Sequence, residues 1–159
     1  MNELMLFTDG SVNTHSRIGY GAYLAVSERR FLSDSSRRQV KVRRFEHISS
    51  TKLELQTLLW ALGDIQAVSS RVIVYTDSQN IMSLPGRGEG FEHNDYRSKK
   101  NRCLNNYKFY KEFYRLTDRL DCKFVKLRGH KVAKQKDDID SLFTLVDRAS
   151  RKALREDTR

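Results

Sequence analysis

Four carboxylates occupy positions from which they could act together: Asp9, Glu54, Asp77 and Asp147. Asp9 follows Leu4-Met5-Leu6-Phe7-Thr8, and Asp77 follows Val72-Ile73-Val74-Tyr75-Thr76. Each is an acid set directly behind an apolar, strand-like run and a threonine. Strand ends that neighbour one another in an α/β sheet bring such residues to one edge. Glu54 falls in the first turn of the helix that would connect those two strands, and Asp147 lies within the last helix, beside its apolar stripe. Clustered without cations, four carboxylates repel one another and take up protons. Hard oxygen donors suit Mg²⁺ or Mn²⁺, and two such ions about 3.5–4 Å apart activate a water and stabilise the leaving oxygen in phosphodiester hydrolysis. Each acid also has a purely local reading. Asp9 could form a hairpin turn with Gly10, Glu54 could close a capping box with Thr51, Asp77 could cap a helix, and Asp147 could pair with Arg148 or Arg151. The two matching Thr-Asp contexts favour the metal reading of the set.

The elements that must position these acids are legible from periodicity. Residues 4–8 read as a strand turning at Asp9-Gly10, residues 18–26 as its return, and residues 40–48 as a third, basic strand. A helix starting at Ser50 or Thr51 carries the stripe Leu55, Leu58, Leu59, Leu62 and Ile65. Residues 71–76 form a buried strand, so the strand–helix–strand order favours a parallel crossover. Asp77-Ser78 caps a short helix before Pro85-Gly86. Residues 86–103 read as loop and 104–120 as a helix, with Tyr107, Tyr110, Phe113, Tyr114 and Thr117 at helical spacing. Residues 123–127 form a strand and 129–139 a loop. A last helix opens at Asp140 or Ser141 with the stripe Leu142, Leu145, Val146, Ala149 and Ala153. The expected class is a mixed α/β sheet with helices packed on it.

Charge supplies a second pattern. The 159 residues include 30 Lys plus Arg against 20 Asp plus Glu, a net charge of +10. Residues 28–44 carry net +5 and residues 87–134 net +8, while the remainder is near neutral or slightly acidic. Positive segments alternating with a carboxylate-bearing scaffold suggest a polyanion held beside an acidic centre. The length fits one domain, residues 1–159, able to bury a core without disulfide or metal support. No apolar run approaches the roughly 20 residues of a membrane span, and mean hydropathy is −0.66. The N-terminus lacks a basic segment followed by an apolar one, so secretion is not expected. Cys103 and Cys122 are expected to be free thiols in a reducing, cytoplasmic setting.

Six short pieces then resemble ribonuclease H type 1: Phe7-Thr8-Asp9-Gly10-Ser11, Gly19-Tyr20-Gly21-Ala22, Leu53-Glu54-Leu55, Tyr75-Thr76-Asp77-Ser78-Gln79, Lys126-Leu127-Arg128-Gly129-His130 and Val146-Asp147-Arg148-Ala149. Each is weak alone. Together they occur in the family's order, span nearly the whole chain, and fall on the elements inferred above. The resemblance implies the ribonuclease H-like five-stranded sheet of order 3-2-1-4-5, three strands antiparallel and then parallel, with helices on both faces. It implies a monomeric endoribonuclease that cuts the RNA strand of RNA–DNA hybrids with little sequence preference, using two Mg²⁺ ions (or Mn²⁺ in their place) and leaving 5′-phosphate and 3′-hydroxyl ends.

By the same resemblance, Asp9, Glu54, Asp77 and Asp147 would be the metal ligands. Asp9 would bridge both ions, Asp147 would serve the ion that activates water, and Glu54 and Asp77 the other. His130, in the loop spanning 129–140, would assist proton transfer or product departure. Gln79 would lie in the minor groove and Ser11 beside the scissile strand. Arg97, Lys99, Lys100 and Arg102, within a handle-like region 86–120 similar to that of many bacterial members, would grip the DNA-strand backbone, a contact that adds affinity without sequence choice.

The chain departs from the family pattern in three places. Ser50-Thr51 stands where a pair of asparagines is usual, so sugar and phosphate contacts would be remade with Ser49 and Thr51. Residues 12–17 replace the usual turn after the first strand. The stretch from His130 to Asp147 is longer than usual and contains Asp137, Asp138 and Asp140, making Asp140 an alternative fourth ligand. Asp147 is preferred because it sits within the helical stripe. Two competing readings are a recombinase or resolvase of the same fold, for which the chain shows no extra DNA-binding domain, and a non-catalytic hybrid or duplex-RNA binder, which would gain nothing from four like charges beside phosphate.

Overall fold

The N-terminal apolar run becomes the central strand of a five-stranded sheet. The computed structural model describes residues 3–27, 39–66, 71–88, 90, 107–127 and 138–157. β1 (Glu3–Asn13) pairs antiparallel with β2 (Ile18–Ser27) on one side and parallel with β4 (Arg71–Thr76) on the other. β3 (Lys41–Phe45) adds antiparallel to β2, and β5 (Asp121–Lys126) adds parallel to β4. The order is β3-β2-β1-β4-β5, as the resemblance to ribonuclease H implied. Among the described residues four helices join these strands: α1 (Ser50–Ile65), α2 (Gln79–Ser83), α3 (Tyr107–Arg119) and α4 (Asp138–Asp157), with a 3₁₀ turn at Leu84–Gly86.

Side chains alternate across a strand, so each strand divides between two cores. Leu4 and Leu6 of β1, with Val72 and Val74 of β4, pack against α1 and α3 through Leu58, Leu62, Phe113 and Leu116. Met5 and Phe7, with Leu24 and Val26 of β2, pack against Leu142 and Val146 of α4. Fully burying a leucine of this kind contributes about 1.5–3 kcal/mol, so α1 and α4 are held on opposite faces by their apolar stripes. No helix among the described residues is long and apolar enough to cross a membrane.

Several boundaries differ from the sequence expectation. β1 does not turn at Asp9-Gly10; it continues paired with β2 to Asn13 opposite Ile18. The turn follows instead, where the Asn13 side chain accepts from the His15 and Ser16 amides at 2.9 and 3.2 Å and Arg17 takes a positive φ of 59°. An asparagine that mimics a backbone turn outcompetes the Asp-Gly signal. β3 stops at Phe45 because His47 adopts a φ of 52° and breaks the extended run. Helix α1 is capped by Ser49, whose Oγ accepts from the Lys52 amide at 3.3 Å, so Thr51 lies inside the helix and cannot form the capping box with Glu54. β5 spans Asp121–Lys126, and α4 already runs from Asp138. The start of α3 expected at 104 lies outside the described residues, as does Cys103. Cys122 is a free, half-buried cysteine whose thiol is pushed up to about 11 by burial and the Asp121 charge.

The N-terminal half of α1 sits unusually close to the sheet. A Cβ at Gly10 would stand 2.9 Å from Leu53 Cδ2, and one at Gly21 would collide with Thr57 Oγ1. That hydroxyl is buried and makes no hydrogen bond, the only such side-chain atom among the described residues. An unsatisfied buried hydroxyl costs about 1–3 kcal/mol. Thr57→Val, which keeps the shape and removes the hydroxyl, is therefore expected to raise stability by about 1 kcal/mol. Gly21→Ala is expected to lower it by about 1–3 kcal/mol through overpacking. Thermal denaturation followed by circular dichroism checks both, at about 2–4 °C per kcal/mol for a chain of this size.

Candidate active site

The parallel register of β1 and β4 ends at the pair Phe7–Tyr75, whose rings stack with centroids 4.9 Å apart and planes 10° from parallel. Asp9 and Asp77 are each two residues beyond that pair. β1 continues past the end of β4 along β2, with Asp9 opposite the fully buried Ala22. At this point the chain after β4 turns into α2, leaving Asp77 exposed and Asp9 half-buried.

The electrostatics show what adjoins what. The Asp9 carboxyl is pushed up to about 8, first by burial, then by the charge of Asp77 and by a hydrogen bond shared with Asp147, whose own charge adds to the effect. Glu54 is likewise raised, mainly by burial and further by Asp77, while hydrogen bonds from Ser78 and Asn80 pull it back down. The four acids thus form a row across the end of the sheet: Asp147 from α4, Asp9 from β1, Asp77 from the end of β4 and Glu54 from α1. Asp147 also pairs with Arg151 one turn on, Nε to Oδ1 at 3.0 Å. Asp140, the alternative fourth acid, is buried in the first turn of α4 and is not among the groups acting on Asp9.

The donor set consists entirely of carboxylate oxygens, which is the chemistry of a hard divalent cation. Among the described residues no three acidic, histidine or cysteine side chains close around one point as a ready cage. They stand as neighbouring pairs along the row, with Asp9 and Asp77 each shared between two pairs. Burial first, and then two adjoining like charges, hold a proton on the Asp9 carboxyl near neutral pH, and a cation would replace that proton. The residues therefore fit divalent ions, bound along the row.

The other expected contacts are more varied. Ser11 Oγ lies 3.1 Å from Ser150 Oγ, and Ser150 in turn donates to the Asp147 carbonyl at 3.0 Å. With its one proton so used, Ser150 accepts from Ser11, which ties β1 to the turn of α4 that carries Asp147. Gln79 is exposed and its Oε1 accepts from Lys126 Nζ at 2.8 Å. Ser49 and Thr51 are both exposed; the first caps α1 and the second accepts from Asn80 Nδ2 at 3.4 Å. His130, Arg97, Lys99, Lys100 and Arg102 lie outside the described residues.

Four participants escaped sequence reasoning: Ser78, Asn80, Lys126 and Ser150. For Ser78 the N-cap was legible, and its Oγ does accept from the Ile81 amide at 3.2 Å. That the same hydroxyl donates to Glu54 Oε2 at 2.7 Å was not legible, because the partner is 24 residues away.

With the geometry in place, the class is plain: this is a nuclease fold carrying an acidic centre at the open end of its two central parallel strands. The chain belongs to the RNase H family, whose model matches residues 1–147. Its fold is similar to the native protease–reverse transcriptase of prototype foamy virus, with a TM-score of 0.75 and 16% identity over 95% of this chain and 20% of that one. It is similar to the PFV RNase H domain (TM-score 0.71, 17% identity, 95% and 93% of the two chains). It is also similar to LC9-RNase H1, a type 1 RNase H with the type 2 active-site motif (TM-score 0.75, 15% identity, 96% and 72%). The chain thus spans 20% of the length of the viral protease–reverse transcriptase. No curated protein sequence matches it.

The protonated state of Asp9 has a stability consequence. Its folded-state value, about 8, lies above the ordinary 3.8, so between those values the folded chain binds the proton that the unfolded chain releases, and stability falls as pH rises through that window. Without divalent ions, wild-type melting temperature is expected to drop from pH 5 to pH 9 more steeply than that of Asp9→Asn, the variant being several degrees the more stable at pH 9. Parallel melting curves of the two proteins across that range check this.

Proposed function

We propose that this chain is an endoribonuclease that hydrolyses the RNA strand of RNA–DNA hybrids with little sequence preference, leaving 5′-phosphate and 3′-hydroxyl ends. The observation that carries the reading is the row Asp147–Asp9–Asp77–Glu54, assembled from four separate elements at the one edge where β1 outruns β4. Asp9, adjoining two other acids, would be shared between two Mg²⁺ ions, with Asp147 serving the ion that activates water and Glu54 and Asp77 serving the other. Bound there, the ions would supply an activated water and charge stabilisation for the leaving oxygen.

The chain's own residues do the rest. Phe7 and Tyr75 form the stacked floor from which Asp9 and Asp77 rise. Ser11 and Ser150 hold α4 so that Asp147 meets Asp9. The Lys126 ammonium holds the carbonyl end of the Gln79 amide, which leaves its N–H donors facing outward. Those donors suit groove acceptors and 2′-hydroxyls, through which A-form-like duplexes are read. The basic run Arg97, Lys99, Lys100 and Arg102 supplies phosphate contacts, and His130 a titratable group before α4; both assignments rest on the sequence. The whole chain acts as one such domain, without an obligate protein partner.

The deciding experiment is incubation of the purified chain with labelled hybrid, duplex RNA, duplex DNA and branched DNA, with and without Mg²⁺ or Mn²⁺. Ion-dependent cutting of the hybrid's RNA strand alone is expected; branched DNA cut in preference to hybrid would move the chain among recombinases. Asp9→Asn and Asp77→Asn are each expected to lower the rate about 1,000-fold or more, several kcal/mol of lost charge stabilisation, while hybrid binding persists. An active Asp9→Asn would overturn the ligand assignment. Replacing Arg97, Lys99, Lys100 and Arg102 by alanine is expected to weaken hybrid binding equally across sequences. It should also flatten its salt dependence by somewhat under one log unit per lost phosphate contact, as read by fluorescence anisotropy at several salt concentrations.

A further inference from the structure

We infer that Ser78 and Asn80 are positioning residues for Glu54: Ser78 grips its carboxylate and Asn80 tethers the turn of α1 that carries it, in the orientation in which Glu54 would serve as an ion ligand. The inference rests on the proposed role of Glu54 and adds what holds it there. Ser78 is buried, its amide donates to Thr76 Oγ1 at 3.1 Å, and its Oγ accepts from the Ile81 amide at 3.2 Å. A serine hydroxyl carries one proton. With the Ile81 amide engaged on its acceptor side, that proton is directed to Glu54 Oε2, 2.7 Å away. The Asn80 side-chain amide nitrogen reaches Thr51 Oγ1 at 3.4 Å, one turn before Glu54 on α1.

Glu54 is the one acid of the row that arrives on α1, the helix packed against the opposite face of the sheet from α4. Both tethers, Ser78 to Glu54 and Asn80 to Thr51, come from the segment immediately after Asp77. The end of β4 therefore carries one acid and also fixes the position of the other, so Asp77 and Glu54 keep their spacing if α1 shifts slightly on the sheet. An ionised carboxylate offers about four lone-pair sites on two oxygens, so the Ser78 donor orients it and still leaves sites for an ion. Partners that orient a ligand from behind typically change ion affinity 10–100-fold when lost.

The test uses the full chain and the variants Ser78→Ala, Ser78→Thr, Asn80→Ala and Glu54→Gln. Manganese binding is measured calorimetrically without substrate, and hybrid cleavage is measured as a function of ion concentration. Ser78→Ala and Asn80→Ala are each expected to weaken ion binding about tenfold and to raise the half-saturating ion concentration for cleavage by a similar factor, with KM for hybrid unchanged. Ser78→Thr, which keeps both the cap and the donor, should restore wild-type ion binding. The double variant should approach Glu54→Gln. The clamp is overturned if folded Ser78→Ala and Asn80→Ala bind manganese as tightly as wild type, or if Ser78→Thr is as impaired as Ser78→Ala. A wild-type chain that binds manganese but cuts no hybrid would refute the proposed substrate while leaving the calorimetric comparison decisive for the clamp.

Discussion

The parallel pairing of β1 with β4 is the constraint on which the rest of the molecule depends. It sets Phe7 against Tyr75, stops there, and leaves Asp9 and Asp77 as the next residues on each strand to share that edge. A slip of one residue would move every side chain of one strand to the other face, separating Phe7 from Met5's neighbours on α4 and turning Asp9 toward α1. The two cores therefore act as the register lock. Leu4 and Leu6 belong to one cluster and Met5 and Phe7 to the other, so no pairing shifted by one residue satisfies both.

That lock holds like charges together at a cost. Desolvation and two neighbouring carboxylates keep a proton on Asp9 up to about pH 8. Most buried carboxylates in folded chains acquire a cationic partner from the protein itself. Among the described residues Arg151 pairs with Asp147 at the outer end of the row, half exposed. No cation among the described residues is one of the groups acting on Asp9. Repulsion left standing inside an otherwise consistent fold is the expected signature of a site built for something other than stability, and burial is tolerable there because the scaffold on both faces is strongly determined.

Close packing explains how Glu54 joins the row from the far face. α1 lies against Gly10 and Gly21 with less clearance than a Cβ would need, so its first turn reaches the sheet edge instead of riding over it. The Thr57 hydroxyl, buried without a partner in that contact, shows that close approach dominates over local hydrogen bonding. The same closeness lets Ser78, at the start of α2, reach across to a residue of α1.

The strands, the crossover and the acids themselves were legible in the residues, because hydrophobic alternation, helical stripes and the two Thr-Asp contexts are local properties that each segment carries alone. The strand order came from the resemblance to ribonuclease H. The local signals misled where two of them competed: Asp9-Gly10 looks like a turn until Asn13 supplies a better one, and Thr51 looks like the cap partner of Glu54 until Ser49 takes the cap. Which acid adjoins which, that Ser78 grips Glu54, that Ser11 is engaged by Ser150 and Gln79 by Lys126, belong to the tertiary structure alone. Those contacts join residues from 24 to 139 positions apart. Their existence depends on ångström-scale approach between packed elements, which no pattern within a segment encodes.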